Sequence, residues 1–293
     1  MKPKRILILG ISGMLGHKLF LELTKDSKLD VYGTKRTFDI EPFGGKFTAK
    51  IRGGVDGDNF DTIIRALASI QPDIVINCIG LIKQTALAND PLSAITVNAQ
   101  LPHRLSLVCK TAGARLIHFS TDCVFDGTKG GYTEKDIPAA YDLYGQTKLL
   151  GELSYPHCLT IRTSIIGHEL KGYLSLVEWF LRQKKTKGYA NAIFSGLPTI
   201  EIARVVKEYV LSNDTLCGVY HLSATAISKY DLLKLINEYY SSEIQLERFD
   251  DFFIDRSLDS TAFFEKTGYE APSWGELVRS MSHDYKECEY YHS

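Results

Sequence analysis

Short runs of consecutive apolar residues alternate, through the first half of the chain, with longer segments whose apolar positions recur every three or four residues. The runs Arg5–Leu9, Asp30–Thr34, Phe47–Lys50, Asp73–Asn77, Arg115–Ser120 and Cys158–Thr163 predict strands. Unbroken apolar stretches, as opposed to strict alternation, suit parallel strands covered on both faces. Met14–Thr24, Phe60–Ile70, Pro91–Ala112 and Leu143–Leu153 predict the helices between them. A repeated strand–helix order predicts an α/β fold with a doubly wound parallel sheet.

After residue 165 the rhythm loosens. Leu174–Gln183, Thr199–Leu211 and Ser228–Tyr239 predict helices, and Gly218–Leu222 one further strand. The expected division is a main-sheet domain over 1–165 and a smaller α/β region over 166–293, with 199–222 returning to the main sheet.

Composition narrows the function classes. Of 293 residues, 44% are apolar and 24% charged, as in ordinary globular proteins, and the net charge of -1 argues against a nucleic-acid partner. The six cysteines are scattered with no C-x-x-C pair, so reduced thiols and a cytoplasmic location are expected, with no metal site. Glycines interrupt the apolar start of the chain, which reads as a strand and not an export signal. No apolar run is long enough to predict a membrane span.

Gly10-Ile11-Ser12-Gly13-Met14-Leu15-Gly16 follows the first strand and opens the first helix. Glycines there let backbone approach a pyrophosphate, while the free N–H groups and positive end of the helix face it. Gly10, Ser12, Gly13, Met14, Leu15 and Gly16 are therefore expected to hold a dinucleotide. The second strand ends in Thr34-Lys35-Arg36, without the acidic residue that would bond a free ribose 2′-hydroxyl. Two cations suit a 2′-phosphate instead, so Lys35 and Arg36 point to NADP(H) more than NAD(H). Asp56, after the third strand, is expected near the adenine. Cys78, Ile79 and Gly80, ending the fourth, are expected beside the cofactor.

Tyr144 and Lys148 lie four residues apart and share a helix face. An adjacent ammonium is expected to lower the pKa of the phenol, fitting it to exchange a proton with a carbonyl oxygen as hydride is transferred. Lys148 is also expected to hold the nicotinamide ribose. Thr121, at the end of the fifth strand, adds a hydroxyl for the same oxygen. A second copy of the spacing, Tyr230 and Lys234, follows Ser228 and reads as a capped structural helix. His118 reads as a core residue. His168 could equally line a substrate pocket or belong to a plain loop.

Several segments together resemble the extended short-chain dehydrogenases/reductases, and within them the dTDP-4-dehydrorhamnose reductase family. They are Gly10–Gly16, Phe119–Gly127, Tyr132–Asp136, Tyr144–Glu152, Arg162–Ser164 and Gly218–Leu222. The resemblance implies that 1–165 is a Rossmann-like NADP-binding domain and 166–293 a smaller substrate-binding region, with an NADPH-dependent 4-keto reduction of a dTDP- or UDP-linked 6-deoxysugar, as in surface polysaccharide and deoxysugar synthesis. It implies the same roles for Thr121, Tyr144 and Lys148, and a place for Asn98 near the active lysine. Lys83, Asp122 and Cys123 would face the sugar, and Arg256 the nucleotide phosphates. The expected partner is a nucleotide sugar, with a homodimer as a further expectation. Dehydratases of this fold carry Thr-Asp-Glu where this chain has Thr121-Asp122-Cys123. A related sugar-nucleotide epimerase or dehydratase, and a non-catalytic NADP-binding regulatory subunit of methionine adenosyltransferase, are the competing readings.

Overall fold

The computed structural model describes residues 3–39, 41–83 and 89–292. Its central sheet takes strands β1 Lys4–Leu9, β2 Leu29–Thr34, β3 Ile51–Arg52, β4 Ile74–Asn77, β5 Arg115–Ser120 and β6 Cys158–Arg162 from the first part of the chain. Two short strands, β7 Ile165–Ile166 and β9 Leu197–Pro198, pair with each other, and β8 Lys185–Phe194 lies between them in sequence. The seventh strand of the main sheet is β10 Gly218–His221, which lies alongside β6. The sheet order is β10-β6-β5-β4-β1-β2-β3, parallel throughout.

Side-chain alternation along β1 shows why its apolar run is unbroken. Ile6 and Ile8 enter the core on one face, and Leu7 and Leu9 the core on the other, all four fully buried. Each such side chain contributes about 1.5–3 kcal/mol by leaving water. Helices α1 Met14–Leu23 and α2 Phe60–Ile70 cover opposite faces. The predicted helix over 91–112 is one run in three parts: α3 Pro91–Ala94, a π-helical stretch Ile95–Gln100, and α4 Leu101–Ala112. Helix α5, Leu143–Leu150, follows β5 and ends three residues earlier than the pattern predicts, at Gly151.

The predicted third strand is corrected. Gly45–Lys50 forms 3₁₀ turns, and only Ile51–Arg52 pairs with β2. Phe47 turns inward onto Phe20, with ring centroids 5.2 Å apart. A buried aromatic flanked by polar residues gives the same short pattern in a turn as in a strand.

The later chain adds α6 Leu176–Leu181, α7 Thr199–Val205 and α8 Lys229–Tyr240. Beside α8 runs a three-stranded sheet of β11 Ile227–Ser228, β8 and β12 Gln245–Asp255, in the order β11-β8-β12. Helices α9 Thr261–Thr267 and α10 Trp274–Glu287 follow. The end of the chain packs back onto α1. The ammonium of Lys18, 1% exposed, meets Asp284 of α10 at 2.7 Å. Tyr291 donates to Nε2 of His17 at 2.9 Å, while Nδ1 of His17 donates to the carbonyl of Gly13 at 3.0 Å. Burial holds the His17 pKa down at about 3, so this imidazole is neutral. No described helix is long and apolar enough to cross a membrane.

Candidate active site

The order of strands reverses between β1 and β4, and ligands of open α/β sheets lie beyond the carboxyl ends at that point. The glycine turn stands there. Gly10 has φ +85°, a backbone state that favours glycine, and any Cβ would come within 3.3 Å of Ile79. A Cβ on Gly16 would fall inside the carbonyl of Gly10, so α1 packs against the turn only without a side chain. Gly13 precedes α1 without a side-chain cap, and the helix has no acidic residue in its first turn. Its first N–H groups therefore remain for an anion. A pyrophosphate fits this cradle.

Around the turn, Met14 and Leu15 begin α1, and Ser12 borders a cavity. Asp56, half-buried in the loop after β3, accepts from the backbone N–H of Asp58 at 3.2 Å. Its own N–H donates to Thr62 at 2.9 Å. Asn77, buried at the end of β4, donates to Nδ1 of His118 at 3.1 Å and accepts from the N–H of Ile79 at 3.1 Å. This fixes the backbone of Cys78-Ile79-Gly80 beside the glycine turn. Burial pushes the Cys78 thiol up to about 12, so it is an uncharged wall. His118 is neutral and buried in the core, as its apolar strand predicts.

Asn98 sits in the π-helical stretch and is 1% exposed. Its side chain bonds both the N–H (2.8 Å) and the carbonyl (3.1 Å) of Leu81, which pins the segment after β4. Gly80, just before it, has only the Asn98 amide (3.4 Å) and the Lys148 ammonium (3.9 Å) near a would-be Cβ. Lys148 is thus brought to the end of β4 from the second turn of α5.

The start of α5 is held by Asp142. One carboxylate oxygen accepts from the N–H of Gly145 at 2.7 Å, and the other meets Lys83 at 2.6 Å. Lys83 also stands 5.7 Å over the Tyr144 ring. Gly145 has no room for a Cβ against the carbonyl of Cys123, which seats the helix on the loop after β5. Thr121 donates to Asp122 (3.1 Å) and accepts from the N–H of Cys123 (3.1 Å). Its hydroxyl also acts on the Tyr144 phenol. Threonine, phenol and ammonium come together at the ends of β5 and β4.

Their electrostatics differ from the expectation. Burial pushes the Tyr144 pKa above its ordinary value, with the nearby Cys123, Asp122 and Asp142 adding to the rise and Thr121 opposing it. Any pull from the Lys148 ammonium is outweighed by this burial. That ammonium donates to the carbonyl of Phe119 at 2.6 Å, and burial brings its own pKa down to about 8. The phenol therefore holds its proton firmly. Because the ammonium is the form that donates, ligand binding that needs it should weaken as pH rises through about 8. A plot of kcat/KM against pH is expected to fall on that limb, with the Lys148→Arg variant moving the fall upward.

Lys35, expected at the cofactor, lines the cavity beside the glycine turn. It is 4% exposed, and its ammonium donates to Asp39 and to the carbonyl of Glu41, both at 2.6 Å. It is committed to the protein, whereas Arg36 is exposed.

Arg256 donates from Nε to the carbonyl of Phe125 at 2.9 Å and stands 3.9 Å from the Cys123 sulfur. The loop it grips is built around Tyr132, which stacks on Phe125 at 4.2 Å and donates to Asp126 at 2.6 Å. The Tyr132 oxygen also accepts from the N–H groups of Gly127, Thr128 and Lys129. Burial keeps the Cys123 thiol up at about 11. Lys83, Asp122, Cys123 and Arg256, all named from the sequence, lie about one region. Sequence reading missed Asp142, although it stands in the N-cap place of a predicted helix. It also missed Glu152, which grips Arg162 at 2.7 and 2.8 Å and Ser120 at 2.7 Å. Lys229 was missed too, and no local pattern marks it. It is the first residue of α8, half-buried, in the field of Asp122, Cys123 and Arg256.

The other candidates are structural. Ser228 caps α8 through the N–H of Asp231 at 3.0 Å, so Tyr230 and Lys234 begin an ordinary helix. His168 is buried between Glu178 at 2.6 Å and Tyr240 at 2.7 Å.

Residues 4–249 match the model of the RmlD substrate binding domain family. The beta subunit of methionine adenosyltransferase 2 from Danio rerio is 27% identical over 244 residues, 78% of this chain and 72% of that protein. A dTDP-4-dehydrorhamnose reductase of Mycobacterium tuberculosis is 30% identical over 172 residues, 56% of this chain and only half of the relative. Among solved structures, dTDP-4-dehydrorhamnose reductase of Bacillus anthracis in complex with NADP superposes with a TM-score of 0.81 at 22% identity, covering 97% of this chain and 99% of that one. The Bordetella bronchiseptica enzyme WbmG in complex with NAD gives 0.77 at 17% identity, covering 99% and 96%. The chain belongs to the RmlD substrate binding domain family.

Proposed function

We propose that the protein reduces the 4-keto group of a nucleotide-linked 6-deoxysugar, dTDP- or UDP-linked, with NADPH. The observation that carries this reading is the meeting of Thr121, Tyr144 and Lys148 beside the glycine turn. When bound, the nicotinamide supplies the hydride. The Tyr144 hydroxyl, kept protonated by burial, gives its proton to the carbonyl oxygen of the sugar. Thr121 offers a second hydroxyl to that oxygen and steadies the charge that develops on it. Lys148, whose ammonium donates to the carbonyl of Phe119, would offer a further N–H to the ribose of a bound cofactor. Asn98 keeps the backbone beyond β4 open for that ribose. Lys83, Lys229 and Arg256 favour an anionic substrate next to Asp122 and Cys123.

The Cys123 thiol counts against dehydration. At a pKa of about 11 it stays protonated and cannot serve as the base that takes a ring proton. The relative from Danio rerio supports a second reading, an NADP-binding regulatory subunit without turnover. Following NADPH absorbance with the isolated protein against dTDP-, UDP- and GDP-4-keto sugars separates the two. Oxidation with a dTDP- or UDP-sugar is expected. NADPH binding without its oxidation in the presence of any member of the panel would favour the regulatory reading.

A further inference from the structure

A cavity of about 220 Å³ lies between the glycine turn, the loop after β2 and the loop after β7. Ser12 lines it from the turn, Arg36 and Thr37 from the second strand's loop, and Lys171 from the other side. Three cations and two carboxylates, Asp39 and Glu41, border it. They do not count equally. Lys35 is spent on Asp39 and on the carbonyl of Glu41, so it cancels the nearer carboxylate and leaves no free charge. Its grip, with the help of Thr37 and Lys171, holds the Asp39 pKa at about 2. Arg36 and Lys171 are both exposed, and both line the cavity.

We infer that Lys171, from outside the sheet domain, is a specificity-determining residue that selects the 2′-phosphate of NADP(H) together with Arg36, while Lys35 only positions the loop. This rests on the NADP(H) reading above. The cavity opens beside Ser12, on the flank of the turn where the adenosine half of a dinucleotide would continue toward β2. A phosphate monoester there carries close to two negative charges, and one arginine would leave part of that charge without a partner. A lysine supplies a compact charge with three donors and needs no fixed geometry, which suits a residue on a loop. The loop of Lys171 runs from β7 toward α6, so the phosphate would also draw the later chain onto the cofactor.

The test is direct binding without turnover. Calorimetry with the full chain should give dissociation constants for NADP+, NAD+, 2′,5′-ADP and 5′-AMP. Lys171→Ala should weaken NADP+ and 2′,5′-ADP about ten-fold, as expected for one charge-assisted contact, and change NAD+ and 5′-AMP less than two-fold. Lys171→Arg should restore most of the loss. An equal loss for all four ligands would show a general structural role and overturn the assignment. So would unchanged NADP+ binding in Lys171→Ala with a large loss in Arg36→Ala, which would leave the NADP(H) reading standing. Wild-type protein that binds NAD+ as tightly as NADP+ would overturn the cofactor preference itself.

Discussion

Replacing Tyr144 by phenylalanine is expected to reduce kcat about 10²–10⁴-fold, the range for losing one positioned proton donor. The affinity for NADPH should change less than two-fold. The ring keeps its place because Asp142 fixes the first turn of α5 and Gly145 seats that turn on the carbonyl of Cys123. Only the hydroxyl is lost. Single-turnover kinetics with saturating NADPH, next to a fluorescence titration of the nucleotide, would separate chemistry from binding. A variant that turns over like the wild type would remove Tyr144 from the reaction. Equal losses in rate and nucleotide affinity would mean that the hydroxyl serves to hold the cofactor instead.

The largest expected effect on stability lies far from the reacting atoms. Asp284→Ala leaves the Lys18 ammonium, 1% exposed, without its counter-charge. Breaking a buried pair by removing one member costs about 3–5 kcal/mol, because the remaining charge is stranded away from water. Urea denaturation should show the loss as a lower midpoint with little change in slope. The double variant Lys18→Met/Asp284→Leu should recover most of it, since the pair is then replaced by apolar groups of similar volume. Failure of the double variant to recover would point to the Lys18 contact with the Tyr291 ring, 4.9 Å away, as the larger contribution.

The sheet could be read from the sequence because its strands are covered on both faces. Once Ile6 and Leu7 must both be buried, the apolar run has one interpretation. The third strand escaped because only two of its residues pair, and Phe47 is buried in a turn by aromatic contact with Phe20. Glycines and the Tyr144/Lys148 spacing were legible because backbone clearance and helix geometry act over a few residues. Charge commitments were not. Nothing near Lys35 in sequence says that its ammonium turns to the Glu41 carbonyl and not outward, because that depends on how the loop folds. The pKa of Tyr144 was misjudged for the same reason. Helix geometry puts Lys148 on its face, but the Phe119 carbonyl takes the ammonium and desolvation decides the direction. Lys229 needed the whole fold, since β8 and β11 bring the start of α8 to the loop after β5.

Strand β10 has a bearing on how the chain matures during synthesis. It pairs with β6, yet more than fifty residues separate the two in sequence. Until the ribosome has delivered Gly218–His221, β6 is the bare margin of a nascent sheet, a template on which another chain could dock. The first 165 residues therefore cannot be cut out as a self-sufficient module without exposing that margin for good.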